Sequence, residues 1–453
     1  MAKKNINNTK KVTLCEKVKI TQIYSPVADW KEFHKVFKIL QKETILASNK
    51  IISICNIFNS FDNKEEQKDW LIKKYQSEKL RNVLYEVARK YCYYLYSRNA
   101  NAISNDIYYK YFNGPNSYKV KVQKGIGNPP MTFTESIPLY ITVQRHKIEC
   151  TNNDRHYYTI EVPLLNNNCK SGIQIKDTEE KIQVNNNSLI FGINASRNKR
   201  LINILDNIIS GNYEFCDSKL KRVKSKKRNH KYDYYFLLSY KKPVIELKTL
   251  KPENVLGVDL GMTVPAYCAV NYCDYKKKAV GDSRIIRYNL MQEKINKRIQ
   301  RNIKYNLRDC HGRKYKLDGY DGASNKIAKR NSTYNFNLAS EIVQLAIKWQ
   351  CGTIHLEDLT KIHEINPQNR FLKNWTYYDL QQKIENKANE YGIVVKYINP
   401  YHTSQTCSNC GHFEAGQRIS QALFQCKYCG YSVNADYNAA RNIALYKILS
   451  GLN

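Results

Sequence analysis

The sequence predicts a multidomain α+β protein in which a helical region and a β-barrel precede a mixed α/β domain carrying an inserted four-cysteine ribbon. Three observations carry this. Apolar residues recur at helical spacing through Asp29–Phe61 and Lys64–Ser97. Short runs alternating apolar and polar residues then fill the stretch from Tyr118 to Lys242. Beyond it, strand and helix patterns alternate and are interrupted once, by two Cys-x2-Cys pairs.

A chain of 453 residues exceeds what one hydrophobic core organises, so two or three domains are expected. Against 73 Lys and Arg stand 40 Asp and Glu, a formal charge of +33. Charge of one sign repels itself in a folded chain, and a polyanionic partner relieves it. Nucleic acid fits a dispersed excess of Lys and Arg better than a membrane does. No apolar run approaches the roughly 20 residues of a spanning helix, and Met1–Lys11 lacks an apolar signal core, so a cytoplasmic protein with no membrane partner is expected. Of 14 cysteines, ten are scattered, such as Cys55, Cys92, Cys268 and Cys351 inside apolar segments, and read as reduced core residues.

Residues 1–28 contain an alternating stretch, Val12–Tyr24, that reads as a strand of the barrel. Residues 29–117 form the helical region, rich in tyrosines such as Tyr91, Tyr93, Tyr94, Tyr96, Tyr108, Tyr109 and Tyr111, for which core packing is the first expectation and base stacking the second. Residues 118–242 supply barrel or sandwich strands at Leu139–Ile148, Tyr157–Leu164, Ser188–Ile193 and Tyr232–Tyr240. The Lys- and Arg-rich run Lys219–Lys231 between them reads either as a solvated hairpin loop or as a phosphate contact.

A linker at 243–254 precedes the α/β domain, 255–402. Strands are expected at Val255–Gly261, Val264–Asn271 and Ser283–Asn289, then a basic helical segment from Leu290 to about Arg308. A Gly-rich break at Gly312–Gly322 separates it from a helix at Ser340–Trp349. A fourth strand at Gly352–Leu359, a helix at Leu380–Tyr391 and a fifth strand at Ile393–Ile398 follow. The ribbon occupies 403–432, and a last helix starts near Asp436 within 433–453.

Three strands in a meander, a helix, a strand, a helix, a strand and a closing helix is the element order of the ribonuclease H-like fold. That order brings an acid on the first strand, one ending the fourth and one on the last helix to a common sheet edge, and these are Asp259, Glu357 and Asp436. Asp259 sits among Val255, Leu256, Val258 and Leu260, where a carboxylate is costly unless a cation or hydrogen bonds compensate it. Hard carboxylate oxygens suit two Mg2+ or Mn2+ ions, which about 4 Å apart activate water and stabilise the leaving oxygen in phosphodiester cleavage. His355 reads as a packed residue and Asp358 as a structural one on the opposite strand face.

Cys407-x2-Cys410, fifteen residues, then Cys426-x2-Cys429 is the spacing of two knuckles closing on one tetrahedral zinc. Gly411 and Gly430 follow the knuckles and let the backbone turn. Four sulfurs leave no open position, so this Zn2+ is structural. Asp436 lies seven residues after Cys429, and Arg418 in the intervening loop is a candidate phosphate contact.

The stretches GVDLG around Asp259, HLEDL around Glu357, TSQTCSNCG with RISQALFQCKYCG, and NADYNAARNIA resemble the RuvC-like nucleases that comprise transposon-encoded TnpB and the miniature type V CRISPR effectors, especially subtype V-F. The resemblance is close from Val255 onward and architectural before it. It implies a helical recognition region, a β-barrel wedge and a RuvC nuclease domain with a zinc ribbon that binds target nucleic acid. By motif, Asp259, Glu357 and Asp436 become the Mg2+ ligands, and Arg418 and Asn438 nucleic-acid contacts, Asn438 as a helper of the third acid. It further implies a prokaryotic RNA-guided endonuclease, with guide RNA and target double-stranded DNA as partners, cleavage beside a short T-rich motif, collateral cutting of single strands, and a homodimer on one guide. The alternatives are a TnpB nuclease, a guide-dependent DNA-binding protein without cleavage, and an unguided nuclease.

Overall fold

The chain divides into two compact units, one formed by residues 11–243 and the other by Lys10 together with the described residues from Val244 onward. The computed structural model describes residues 10–446 apart from 28, 114–116, 120–132, 135–136, 176–179, 226–231, 262–263, 283, 285–290, 293, 296, 302–312, 360–376 and 421, with backbone alone for 313–326.

Among the described residues of the first unit's helical region lie four helices: α1 (Trp30–Asn59), α2 (Lys64–Tyr75), α3 (Leu80–Tyr91) and α4 (Ser97–Phe112). Asp29 caps α1 by accepting from the Lys31 N–H. The expected helix over Lys64–Ser97 is broken in two places. Gln76 takes a left-handed conformation at the end of α2 (φ 53°), and Glu43 of α1 accepts the backbone N–H groups of Tyr94 and Leu95, which hold the chain out of helix after α3. Tyr111 is buried and donates its hydroxyl to Asn56 Oδ1 at 2.6 Å, as core packing predicts, whereas Tyr93 and Tyr109 are exposed.

The strands of this unit are β1 (Lys11–Lys19), β2 (Gln22–Ser25), β3 (Leu139–Ile141), β4 (Lys147–Asn152), β5 (Tyr157–Pro163), the short pair β6 (Ile173–Gln174) and β7 (Lys181–Ile182), β8 (Ser188–Asn194), β9 (Glu214–Lys224) and β10 (Tyr232–Pro243). All but β6 and β7, which pair only with each other, form two four-stranded antiparallel sheets, β1-β10-β9-β3 and β2-β8-β5-β4. The single expected strand Val12–Tyr24 serves both. Ile20 N–H donates to Tyr234 in one sheet and Thr21 N–H to Gly192 in the other. Two elements depart from expectation. A helix, Lys199–Ile209, capped by the Asn198 side chain, lies between β8 and β9. Lys219–Lys224, expected in a loop, belongs to β9, whose Phe215 and Leu220 face inward while Lys221 and Lys224 stay in water and Lys219 pairs with Asp106 at 3.4 Å. The rest of that run, 226–231, lies outside the described residues. Helices and sheets share one core, with Phe33, Phe37, Ile103, Phe191 and Phe236 among its buried members.

The second unit is built on a five-stranded sheet of β11 (Lys251–Asp259), β12 (Ala266–Val270), β13 (Lys277–Val280), β14 (Cys351–Glu357) and β15 (Val394–Ile398). The order is β13-β12-β11-β14-β15, with β12 and β13 antiparallel and β14 and β15 parallel to their neighbours. The third strand is thus Lys277–Val280 rather than Ser283–Asn289, which apart from Arg284 lies outside the described residues. Of the expected basic helix, the described residues between 291 and 301 are helical. The expected Gly-rich break is absent from 313 onward, because one helix, Arg313–Lys348, runs through Gly319 and Gly322. Its C-terminal part buries Leu338, Ile342, Val343 and Ala346 in the sheet's core, together with Leu380 and Ile384 of the helix Tyr377–Asn389. Packing on that scale outweighs a helix penalty of about 1 kcal/mol per glycine.

Candidate metal centre and cysteine ribbon

β11 and β14 run parallel with Val258 opposite Leu356, so Asp259 and Glu357 end neighbouring strands side by side. The closing helix, Ala435–Leu445, crosses β11 closely. A Cβ on Gly257 would stand 2.2 Å from the Ala440 carbonyl oxygen and 2.3 Å from the Ala444 nitrogen, so the first glycine of GVDLG is required by this contact. Asn434 caps the helix by accepting from Tyr437 N–H at 2.9 Å. That cap places Asp436 in the first turn, over the strand ends.

Asp259 senses the other two acids. Burial, then the negative charges of Glu357 and Asp436, raise the Asp259 carboxyl well above its usual range, and the Arg418 guanidinium opposes this. Burial likewise raises Glu357, against a hydrogen bond from Thr403. Arg418 Nη2 donates to Asp436 Oδ1 at 2.9 Å, with Asp436 buried. Like charges packed this way favour a bound cation of high charge, and an all-oxygen donor set suits Mg2+ or Mn2+. Among the described residues, however, the four ribbon cysteines alone converge to within 4.8 Å; the carboxylate oxygens stand further apart.

Four further side chains surround these acids or tie the ribbon beside them. His355 is buried and its Nδ1 lies 3.0 Å from the Ile443 carbonyl, so it is packed as expected. Asp358, expected on the opposite face, is exposed and lines the same hollow as Glu357, because β14 ends at Glu357 and strand alternation ends with it. Asn438, expected to touch nucleic acid, is fully buried: it donates to the Thr406 carbonyl at 2.8 Å and accepts from Ser408 N–H at 2.9 Å. Both halves of its amide are spent holding the ribbon to the closing helix. Thr403, which sequence reasoning did not single out, donates its hydroxyl to Glu357 Oε1 at 2.5 Å.

The ribbon repeats one knuckle twice. Gly411 N–H donates to the Cys407 carbonyl and Gly430 N–H to the Cys426 carbonyl, with both glycines left-handed (φ 77° and 71°). Cys407 N–H bonds His412 and Cys426 N–H bonds Tyr431 in the same way. The strands β16 (Leu423–Gln425) and β17 (Ser432–Asn434) pair behind them. Sulfur separations of 3.8 Å (Cys407 to Cys429) and 3.7 Å (Cys410 to Cys426) are far too long for disulfides. They equal the edge of a sulfur tetrahedron around Zn2+, about 3.8 Å for Zn–S near 2.3 Å. The donor set therefore fits a structural zinc.

A hollow of about 800 Å3 opens beside Glu357, lined in part by Asp358, Tyr397, Asn399, Tyr401 and His402. Tyr401 is 74% and Phe413 47% exposed. Between them His402, at φ 64°, meets the Tyr401 ring edge-on at 4.6 Å and the Phe413 ring at 4.0 Å. Aromatic faces in water beside an acidic centre are what an unpaired nucleobase stacks on.

Comparison with known proteins gives the chain its relatives. Residues 377–443 match a family described as Cas12f1-like, TNB domain. The CRISPR-associated endodeoxyribonuclease Cas12f1 of Sulfoacidibacillus thermotolerans is 33% identical over 430 residues, 93% of this chain and 94% of that protein. A TnpB-like protein of Aquifex aeolicus is 26% identical over 228 residues, 46% of this chain and 72% of that one. A chain in the cryo-EM structure of a Cas12f1-sgRNA-target DNA complex shares the fold, with a TM-score of 0.66 at 20% identity over 96% of this chain and 99% of that one. The chain belongs to the Cas12f1 family of CRISPR-associated endodeoxyribonucleases.

Proposed function

We propose that this protein is a guide-RNA-directed DNA endonuclease of a CRISPR system that cuts double-stranded DNA at Asp259, Glu357 and Asp436. The observation that carries the reading is the meeting of these acids at the ends of β11 and β14 and the start of the closing helix, within a chain of this family. The sheet order supports a ribonuclease H-like, RuvC-type domain, the paired sheets and helices of residues 11–243 a wedge and recognition region, and the cysteines a zinc ribbon.

Two Mg2+ or Mn2+ ions held by the three carboxylates would supply an activated water and neutralise the leaving oxygen. The chain's own groups do the rest. Thr403 fixes the Glu357 carboxylate, Arg418 offers a cation where a phosphate arrives, and Tyr401 and Phe413 offer stacking faces beside it. A net charge of +33 serves a guide RNA and a heteroduplex recognised through their backbones.

Asp259→Ala is expected to abolish cleavage while guide and target binding persist, and a fully active variant would refute the assignment. A transposon-encoded guide system is the second reading, favoured by the TnpB-like relative. Alignment of the Sulfoacidibacillus relative over 93% of the chain, against 46% for the TnpB-like protein, weighs toward the CRISPR reading. Sequencing the RNA that co-purifies decides: repeat-spacer transcripts mark a CRISPR effector and transposon-end transcripts a TnpB nuclease.

A further inference from the structure

We infer that Thr403 is a positioning residue for Glu357, and that through it the cysteine ribbon governs divalent-metal binding at the carboxylates. The inference rests on the metal-centre reading above. Thr403 is buried, and its hydroxyl approaches two acceptors, Glu357 Oε1 at 2.5 Å and the Pro400 carbonyl at 3.2 Å. A hydroxyl has one proton to donate, and the shorter contact, to an anion, takes it. Glu357 is thereby fixed on one oxygen, and Gln381 donates to its main-chain carbonyl at 2.7 Å.

The Thr403 backbone is itself anchored. Asn442 donates to the carbonyls of Thr403 and Thr406 at 2.8 and 2.7 Å, and Asn438, one turn earlier, bonds Thr406 and Ser408. Thr406 in turn donates to the His402 carbonyl at 2.9 Å, closing the turn that presents Thr403. Cys407 lies between the residues that Asn438 holds, so the first knuckle and the Thr403 turn are one continuous clamp on the closing helix. That helix also carries Asp436. The position of the second acid is therefore set by the element that supplies the third, and a collapsed knuckle releases both. Partners that orient a metal's ligands are worth roughly 10- to 100-fold in metal affinity.

Mn2+ binding to the guide-loaded full chain, read by electron paramagnetic resonance of free Mn2+, tests this without relying on cleavage. Thr403→Val keeps the shape and removes the hydroxyl, and is expected to weaken Mn2+ binding roughly tenfold or more. Thr403→Ser restores it, which a merely structural role does not require. Cys426→Ser, which disables the ribbon, is expected to show the same weakening with guide RNA still bound. Should Thr403→Val misfold, Asn442→Ala, which leaves the hydroxyl but frees its backbone, is expected to weaken Mn2+ binding in the same direction. If Asp259→Ala loses Mn2+ while Thr403→Val and Asn442→Ala bind it like the wild type, the positioning role is overturned and the metal centre stands. If Asp259→Ala binds Mn2+ unchanged, the metal-centre reading fails, and this inference with it.

Discussion

Arg418 reaches from the cysteine ribbon to the closing helix and donates to Asp436 Oδ1 at 2.9 Å, with its side chain 30% exposed and that of Asp436 10%. One guanidinium thus sits on a cluster of three acids, and it is the cation that offsets the raised Asp259. A half-buried pair of this kind competes with metal for the same carboxylate while no nucleic acid is present. Arg418→Gln should therefore have two effects of opposite sign. Mn2+ affinity of the nucleic-acid-free protein should rise, because the acids lose their internal counter-charge. Cleavage should fall roughly a hundredfold, because a fixed donor near the reacting phosphate is lost. A metal titration and a single-turnover cleavage rate on the same variant check both signs.

Gly257 sets how near the closing helix comes to β11. Gly257→Ala places a methyl about 2 Å from helix backbone atoms, which cannot give way as a flexible side chain would. The helix must move, carrying Asp436 away from Asp259. Overpacking costs typically about 1–3 kcal/mol, and backbone contact puts this substitution at the upper end. Thermal unfolding should show the loss of stability, and cleavage should disappear even where the variant is folded.

Much of this site is legible in the sequence, for an identifiable reason. Asp259, Glu357 and Asp436 stand out because a charge in an apolar strand or at a helix start needs compensation, and the cysteines because metal-ligand spacing is local. What escapes is what depends on distant contacts. Thr403 and Glu357 are 46 residues apart, and no spacing rule joins a threonine to that acid. Asn438 reads as polar and available, but only packing reveals both its amide groups already engaged. β13 is misplaced because Lys277 and Lys278, on an edge strand, hide its alternation. The helix Arg313–Lys348 is obscured by glycines whose cost tertiary packing covers.

Glu43 gives the first unit a pH dependence of definite sign. Burial raises its carboxyl to about 7, against the backbone N–H groups of Tyr94, Leu95 and Tyr93, which favour the charged form. A carboxyl raised on folding holds its proton in the native state after the unfolded chain has released it. Its favourable contribution is complete at low pH and is lost as pH rises from about 4.5 to about 7. The loss amounts to about 3 kcal/mol. Glu43→Gln should flatten the stability curve over that window. Denaturant titrations at intervals between pH 4.5 and 7.5 measure it, and a wild-type curve that rises with pH there would contradict the assignment.

At the proposed cutting site, Tyr401 is expected to distinguish a single strand from a duplex. Its ring is largely in water at the rim of the hollow beside Glu357, edge-on to His402, whose other neighbour is Phe413. A base inside a duplex has both faces covered by its neighbours and cannot use this surface, whereas an unpaired base can. Stacking of one base on an aromatic side chain is worth about 1–3 kcal/mol. Tyr401→Ala should accordingly raise KM for single-stranded DNA roughly tenfold. It should leave kcat nearly unchanged, since the carboxylates and Arg418 are not disturbed. Binding of guide RNA and recognition of duplex target should be unaffected. A 2-aminopurine base placed beside the scissile phosphate reports the contact directly: it should be quenched by the wild type and remain bright with Tyr401→Ala. Equal quenching by both proteins would assign the strand to a different path from the one these rings mark.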